Sequence, residues 1–179
     1  MYQRIIFHVD VNSAFLSWEA VHRLKVLGEP LDLRTIPSAV GGDVSKRHGI
    51  ILAKSTPAKQ YRIQTGEPIH QALQKCPELV LVPPNHDLYV QCSKSLLHVL
   101  NQYTPDIQPF SIDEAFLDMT GACIAYDSPK QVAENIRERI KNELGFTVNI
   151  GISTNKLLAK MASDFQKPDL VHTLFPEEI

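Results

Sequence analysis

Three acidic side chains hold the positions in this chain best suited to chemistry. Asp10 closes the apolar run RIIFHVD, and Asp113 and Glu114 stand side by side inside PFSIDEAFLDMT. Phe110, Ile112, Phe116 and Leu117 make that second stretch a strand or hairpin, where aspartate is a poor former and an unpaired buried charge is costly. Strand ends and hairpin bends aim side chains into a shared cleft. If the two strands are neighbours, three carboxylates meet, and their pKa values rise unless cations stand between them. Mg²⁺ takes oxygen ligands and is held by one or two carboxylates together with substrate phosphates. Two such ions form the device used for phosphoryl and nucleotidyl transfer. Read blandly, Asp10 is a turn former and Asp113-Glu114 a solvated bend; the residues alone leave both readings open. Asp118 follows closely and is expected to support the hairpin.

The elements that must carry these groups follow from spacing. Residues 4–10 read as a strand. A helix follows, capped by Asn12 or Ser13, with Ala14, Trp18, Val21 and Leu24 on one face and its end near Gly28 and Pro30. Short apolar runs occupy residues 31–55, with a turn at Gly41-Gly42, and two short helices are expected near 57–61 and 68–75. ELVLVPP is a short strand closed by prolines. Residues 87–103 form a helix whose stripe is Leu88, Cys92, Leu96, Val99 or Leu100, and Tyr103. Ser128-Pro129 opens another helix, with Val132, Ile136, Ile140 and Leu144 inward and Gly145 as its stop. FTVNIGI is a strand. STNKLLAKMASDF is a helix with Leu157, Leu158, Met161 and Phe165 inward, and HTLFPEEI offers no obvious closing element. Antiparallel strands covered by helices give an α+β layer fold, with a more helical, basic insertion between about residues 13 and 84.

The composition is that of an ordinary globular chain: 179 residues, 44% hydrophobic and 21% charged. The net charge of −2 supplies no global argument for nucleic-acid binding. Basic residues do cluster locally: Lys46, Arg47, Lys54, Lys59 and Arg62 fall between Val44 and Gly66, with no acidic residue among them. Such a run is as readily a solvated face as a phosphate site. Cys76, Cys92 and Cys123 have no metal-ligand spacing, which makes a reduced, cytoplasmic setting the default. No apolar run approaches the roughly 20 residues that span a bilayer, and the N-terminus does not read as a secretory signal.

Four segments, in order, carry a family resemblance. FHVDVNSAF (7–15), ILAKSTPAKQYRIQTGEPI (51–69), SIDEAFLD (111–118) and NIGISTNKLLAKMASDFQKPD (149–169) resemble the palm and fingers motifs of the Y-family translesion DNA polymerases. The resemblance implies template-directed nucleotidyl transfer from a dNTP to a primer 3′ end with two Mg²⁺ ions, for which Mn²⁺ can substitute. Asp10 and Asp113 match the aspartates that bridge both metals, and Glu114 the carboxylate on the catalytic metal. The Val11 backbone carbonyl matches the remaining protein ligand. Phe15 matches the aromatic steric gate, which excludes ribonucleotides by clashing with a 2′-hydroxyl. Lys59 and Lys167 match the basic residues that grip the triphosphate, with Thr56 offering a hydroxyl contact. Ala14 stands where an aromatic is common and Asn12 where many members have a second acidic residue. Lys59 is a point charge where many members have the forked guanidinium of arginine.

The resemblance also implies an architecture: a palm over 1–12 and 85–179, with an antiparallel sheet in a ferredoxin- or RRM-like layout, and a small fingers subdomain over 13–84. The family's thumb and little finger grip primer-template DNA, and the sequence stops before either. The chain is therefore expected to be the palm-fingers part of a longer polymerase, with little activity alone and with a sliding clamp as a partner of the full-length protein. Two other functions share features with this sequence. A nucleotide cyclase has a palm-like core, and GGD at 41–43 superficially resembles one of its signatures, without the expected continuation. A non-catalytic sheet for single-stranded nucleic acid would display aromatics where this chain has carboxylates.

Overall fold

The run that ends in Asp10 forms a strand, β1 (Ile6–Val11), in a computed structural model describing residues 3–42, 49–126 and 128–179. Asp43, Lys46 and Arg47 lie outside the described residues. The chain packs as two units. One runs up to Asn12 and resumes from Val90 to Ile179; the other spans Ser13–Tyr89.

The first unit is built on a five-stranded sheet. β1 lies at its centre, antiparallel both to β6 (Glu114–Asp118) and to β7 (Val148–Ser153). β5 (Ile107–Pro109) flanks β6 and β8 (Val171–Thr173) flanks β7, giving the order β5-β6-β1-β7-β8. Facing residues in an antiparallel pair project to the same side, so His8, Phe116 and Gly151 share one face, and so do Asp10, Glu114 and Asn149. The other face carries Phe7, Val9, Val11, Ala115, Leu117, Val148, Ile150 and Ile152, all buried. Each full burial of such a side chain contributes about 1.5–3 kcal/mol.

Helix α5 (Pro129–Leu144) packs against β7 and β8 with Val132, Ala133, Ile136 and Ile140 buried. The Ser128 hydroxyl accepts from the Gln131 N–H at 3.2 Å, Pro129 fills the first turn, and Gly145 ends the helix at φ 85, a conformation that suits residues without a Cβ.

Helix α6 (Lys156–Ser163) corrects the sequence expectation. Its buried residues are Ala159, Ala162 and Ser163, whereas Leu157, Met161 and Phe165 are 70%, 48% and 55% exposed. The cause is Gly151: a Cβ there would stand 1.9 Å from the Ala159 carbonyl oxygen and 2.4 Å from the Ser163 nitrogen. The α6 backbone therefore lies directly on β7, only small side chains fit between, and the bulky ones turn outward. β8 is also unanticipated; it closes the sheet by pairing parallel to β7.

The second unit contains a sheet where the sequence predicts a more helical insertion. Strands β2 (Ser38–Gly41), β3 (Ile51–Lys54) and β4 (Val80–Val82) pair in the order β3-β2-β4, β2 antiparallel to β3 and parallel to β4. Helix α1 (Ala14–Lys25) packs on it and buries Ala14, Leu16, Ser17, Trp18, Glu19 and Ala20; of the expected stripe, Ala14 and Trp18 are buried and Val21 and Leu24 half-buried. Helix α2 (Thr56–Lys59) is one turn capped by Ser55, whose hydroxyl accepts from the Ala58 N–H at 3.1 Å. Helix α3 (Ile69–Lys75) contributes Ile69 and Ala72 to a core with Ile51, Ala58 and Ile63. Helix α4 (His86–Leu100) starts and ends earlier than its apolar stripe suggests, and the boundary between the units falls within it. No helix among the described residues is long and apolar enough to cross a membrane.

Candidate active site

Strand pairing brings Asp10, Asp113 and Glu114, all in the first unit, to one end of the sheet. Asp10 and Glu114 are register partners across β1 and β6. Asp113 precedes Glu114 in the bend, where its carbonyl accepts from the Val11 N–H at 3.0 Å and clamps the bend to the end of β1. The Ser111 hydroxyl lies 2.7 Å from Asp113 Oδ1 and 3.0 Å from Glu114 Oε2. A hydroxyl has one proton, so it serves one of these carboxylates at a time and leaves the negative charge undersupplied with donors.

Two ammonium groups fill part of that deficit. Lys160 of α6 donates to Glu114 Oε1, and Lys167 donates to Asp10 Oδ2 and to Asp164 Oδ1, the latter at 2.9 Å. Lys160 also stands 5.0 Å from the centroid of the Phe110 ring. The two facing carboxyls respond in opposite directions. Burial pushes Asp10 above the ordinary carboxylate range, Lys167 pulls it back without prevailing, and the Asp113 and Glu114 charges push it further up. Burial would raise Glu114 too, but hydrogen bonds from Lys160 and Ser111 outweigh it and hold that carboxyl low. Burial would lower Lys167, yet Asp10 and Asp164 keep it above its usual value.

His8 lies beneath this layer, 1% exposed, with Nδ1 2.8 Å from the Ser163 hydroxyl and Nε2 3.4 Å from Glu114 Oε1. Burial, aided by the Lys160 charge, lowers its pKa to about 4, so the imidazole is neutral at neutral pH. His8, Ser111 and Lys160 are site residues that sequence reasoning missed. The only signal for Lys160 was its place one turn after Lys156, which reads equally as helix surface. Lys156 itself bonds Gln108, away from the carboxylates. Asp118 braces the hairpin end by accepting from the Thr120 N–H at 3.1 Å, the Thr120 hydroxyl at 2.6 Å and Arg4 Nε at 3.1 Å.

The oxygen donors of Asp10, Asp113, Glu114 and the Val11 carbonyl suit a hard cation. Among the described residues no three His, Cys, Asp or Glu side chains converge into a ready-made cage. Mg²⁺ does not require one, since substrate phosphates and water complete its octahedron. The raised Asp10 carboxyl and the two ammonium groups drawn onto the acidic residues mark a place where added positive charge is favoured.

In the second unit, Phe15 is half-buried and stacks on Tyr89, with ring centroids 4.3 Å apart and planes at 11°. Trp18 and His86 flank it at 6.0 and 6.1 Å. Tyr89 is fully buried, and its hydroxyl donates to the buried Glu19 carboxylate at 2.9 Å. The Phe15 ring is thus held by an aromatic cluster with a fixed base. Thr56 and Lys59 project from α2 into solvent around buried Ala58. Burial lowers the pKa of Lys54, and the Lys59 charge adds to the effect.

Comparison with known proteins is specific. The family model described as impB/mucB/samB matches residues 9–164. A DNA polymerase IV of Clostridium acetobutylicum is 55% identical over 176 residues, which is 98% of this chain and 44% of that protein. Among solved structures, a Y-family DNA polymerase chimera superposes with a TM-score of 0.85 at 27% identity, over 97% of this chain and 49% of its own. DinB from Sulfolobus solfataricus superposes with a TM-score of 0.84 at 28% identity, over 98% of this chain and 49% of its own. The chain spans about half the length, or less, of the relatives it matches.

Proposed function

Because this chain belongs to the impB/mucB/samB family, we propose that it forms the palm and fingers of a translesion DNA polymerase, with residues up to 12 and from about 85 as palm and 13–84 as fingers. The reaction is template-directed transfer of a deoxynucleotide to a primer 3′ end. The observation that carries this reading is the register pair Asp10–Glu114, with Asp113 at the adjacent bend and an ammonium group against each face-sharing carboxylate.

Asp10, Asp113, Glu114 and the Val11 carbonyl would hold the two Mg²⁺ ions. Bound Mg²⁺ supplies a lowered pKa for the attacking 3′-hydroxyl and neutralises charge on the departing pyrophosphate. The chain's own residues orient and balance. Lys167, which pairs with Asp10, is the palm residue for the triphosphate, and Thr56 and Lys59 are the phosphate-contacting residues of the fingers. Lys160 keeps Glu114 ionised and aimed. Phe15, stiffened by Tyr89, lies under the sugar and rejects a 2′-hydroxyl. Fixed groups of this kind act by positioning and by preorganised charge. Primer-template DNA is the polymeric partner, and a sliding clamp joins the full-length protein.

The test is single-nucleotide addition to a labelled primer-template at saturating DNA, with Mg²⁺. Slow dNTP addition that disappears in Asp113→Asn is expected. Addition that survives Asp113→Asn unchanged, or that proceeds equally without template, would overturn the reading.

A further inference from the structure

Asn12 and Asn149, 8% and 0% exposed, stand next to the carboxylates and join the strands to the segment after α6. Asn12 Nδ2 donates to Asn149 Oδ1 at 3.0 Å. Asn12 Oδ1 accepts from the Asp169 N–H at 3.0 Å and from the Thr147 hydroxyl at 2.9 Å. Asn149 Nδ2 donates to the carbonyls of Ser163 and Gln166 at 3.1 and 2.6 Å, and Asn149 Oδ1 lies 3.4 Å from the Leu170 N–H. The two amides thus grip four backbone groups of residues 163–170, and Lys167 lies between the grips. From the other side, Arg137 and Lys141 of α5 hold the Asp169 carboxylate at 2.6 and 2.7 Å, with Asp169 in the left-handed region at φ 63.

The amide orientations are fixed by their partners. Asn149 must turn its nitrogen to two carbonyls, so its oxygen faces Asn12, and Asn12 must answer with a nitrogen. A carboxylate at position 12 would set oxygen against oxygen at the present 3.0 Å and add a further negative charge beside Asp10. A neutral amide does the same holding without either cost.

We propose that the Asn12–Asn149 pair is a positioning device that sets where the Lys167 ammonium stands relative to Asp10, and so how tightly the triphosphate is held. The proposal rests on the role given to Lys167 above. In this proposal Asn12 acts on nucleotide binding through the 163–170 segment rather than by touching the nucleotide.

The test combines dNTP–Mg²⁺ calorimetry with amide hydrogen exchange on the 179-residue chain, comparing wild type, Asn12→Asp, Lys167→Ala and the double variant. Asn12→Asp should weaken dNTP binding about tenfold and speed exchange at the Asp169 and Leu170 amides. In the Lys167→Ala background the same change should weaken binding by less than about twofold, because coupled residues are non-additive. Asn12→Ser, a milder change, should show the same pattern with a smaller loss and serves if Asn12→Asp does not fold. The proposal is overturned if these variants leave Asp169 protection and dNTP affinity at wild-type values, or if their binding loss persists in full without Lys167. Were Lys167→Ala to bind dNTP like wild type, the triphosphate role of Lys167 would fail, while exchange at Asp169 would still decide whether Asn12 holds the segment.

Discussion

Gly151→Ala is the sharpest test of how α6 is seated. The added Cβ would lie 1.9 Å from the Ala159 carbonyl oxygen, 2.4 Å from the Ser163 nitrogen and 3.0 Å from the Ala159 carbonyl carbon. All three are backbone atoms, so no side-chain rotation relieves the clash. Ordinary contact begins near 3.4 Å, which requires α6 and β7 to separate by about 1.5 Å. Overpacking of a tight core costs about 1–3 kcal/mol, and more when backbone must move. At 3 kcal/mol a chain of this size loses roughly 6–12 °C of Tm. The same displacement carries Lys160 away from Glu114 and Ser163 away from His8, so dNTP binding should weaken alongside stability. Thermal unfolding followed by circular dichroism measures the first effect and calorimetry the second. Gly121→Ala is the control, since nothing lies within 4 Å of its Cβ position and its effect should stay within about 0.5 kcal/mol. A Gly151→Ala midpoint within about 2 °C of wild type would refute the packing argument.

Further outcomes follow from single contacts. Asn155→Ala removes the side-chain acceptor for the Leu158 N–H at 3.0 Å and should cost about 1 kcal/mol, read as a lower urea midpoint; an unchanged midpoint would contradict the cap. Asp118 has a depressed carboxyl pKa because hydrogen bonds from Thr120 and Arg4 outweigh the effect of burial. Its stabilisation should be fully present above the ordinary carboxylate value of about 4 and be lost as pH falls through the lower folded value. The Tm gap between wild type and Asp118→Asn should therefore be constant above about pH 5 and close in acid; a gap that widens in acid would reverse the sign. Phe15→Ala removes the ring stacked on Tyr89 and should raise ribonucleotide use relative to dNTP by at least about tenfold, or roughly 1.4 kcal/mol, in competitive primer extension. An unchanged ratio would remove Phe15 from sugar selection.

What the sequence revealed depended on how local each signal was. The strand ending in Asp10, the hairpin around Asp113-Glu114 and the helix opened by Ser128-Pro129 and stopped by Gly145 all have determinants within a few residues of themselves, and all are present. The facing of α6 failed because its determinant is elsewhere. Leu157, Met161 and Phe165 have helical spacing, but the missing Cβ of Gly151 on β7 decides which side lies against the sheet. β4 was legible in ELVLVPP, but its partners β2 and β3 were not, because strands of four residues carry too little periodicity to be distinguished from loop. In the candidate site the acidic residues were visible as misplaced charges in apolar runs. Their partners Lys160, Lys167 and His8 are distant in sequence from the carboxylates they touch, and only the fold brings each pair together.

The most direct test of the central claim is a calorimetric titration of the 179-residue chain with a dNTP, run with Mg²⁺, with EDTA, and with Mg²⁺ after Asp10→Asn or Asp113→Asn. Binding that requires Mg²⁺ and falls at least about tenfold in both variants is the predicted result. Binding of equal strength in EDTA, or binding indifferent to both substitutions, would contradict it.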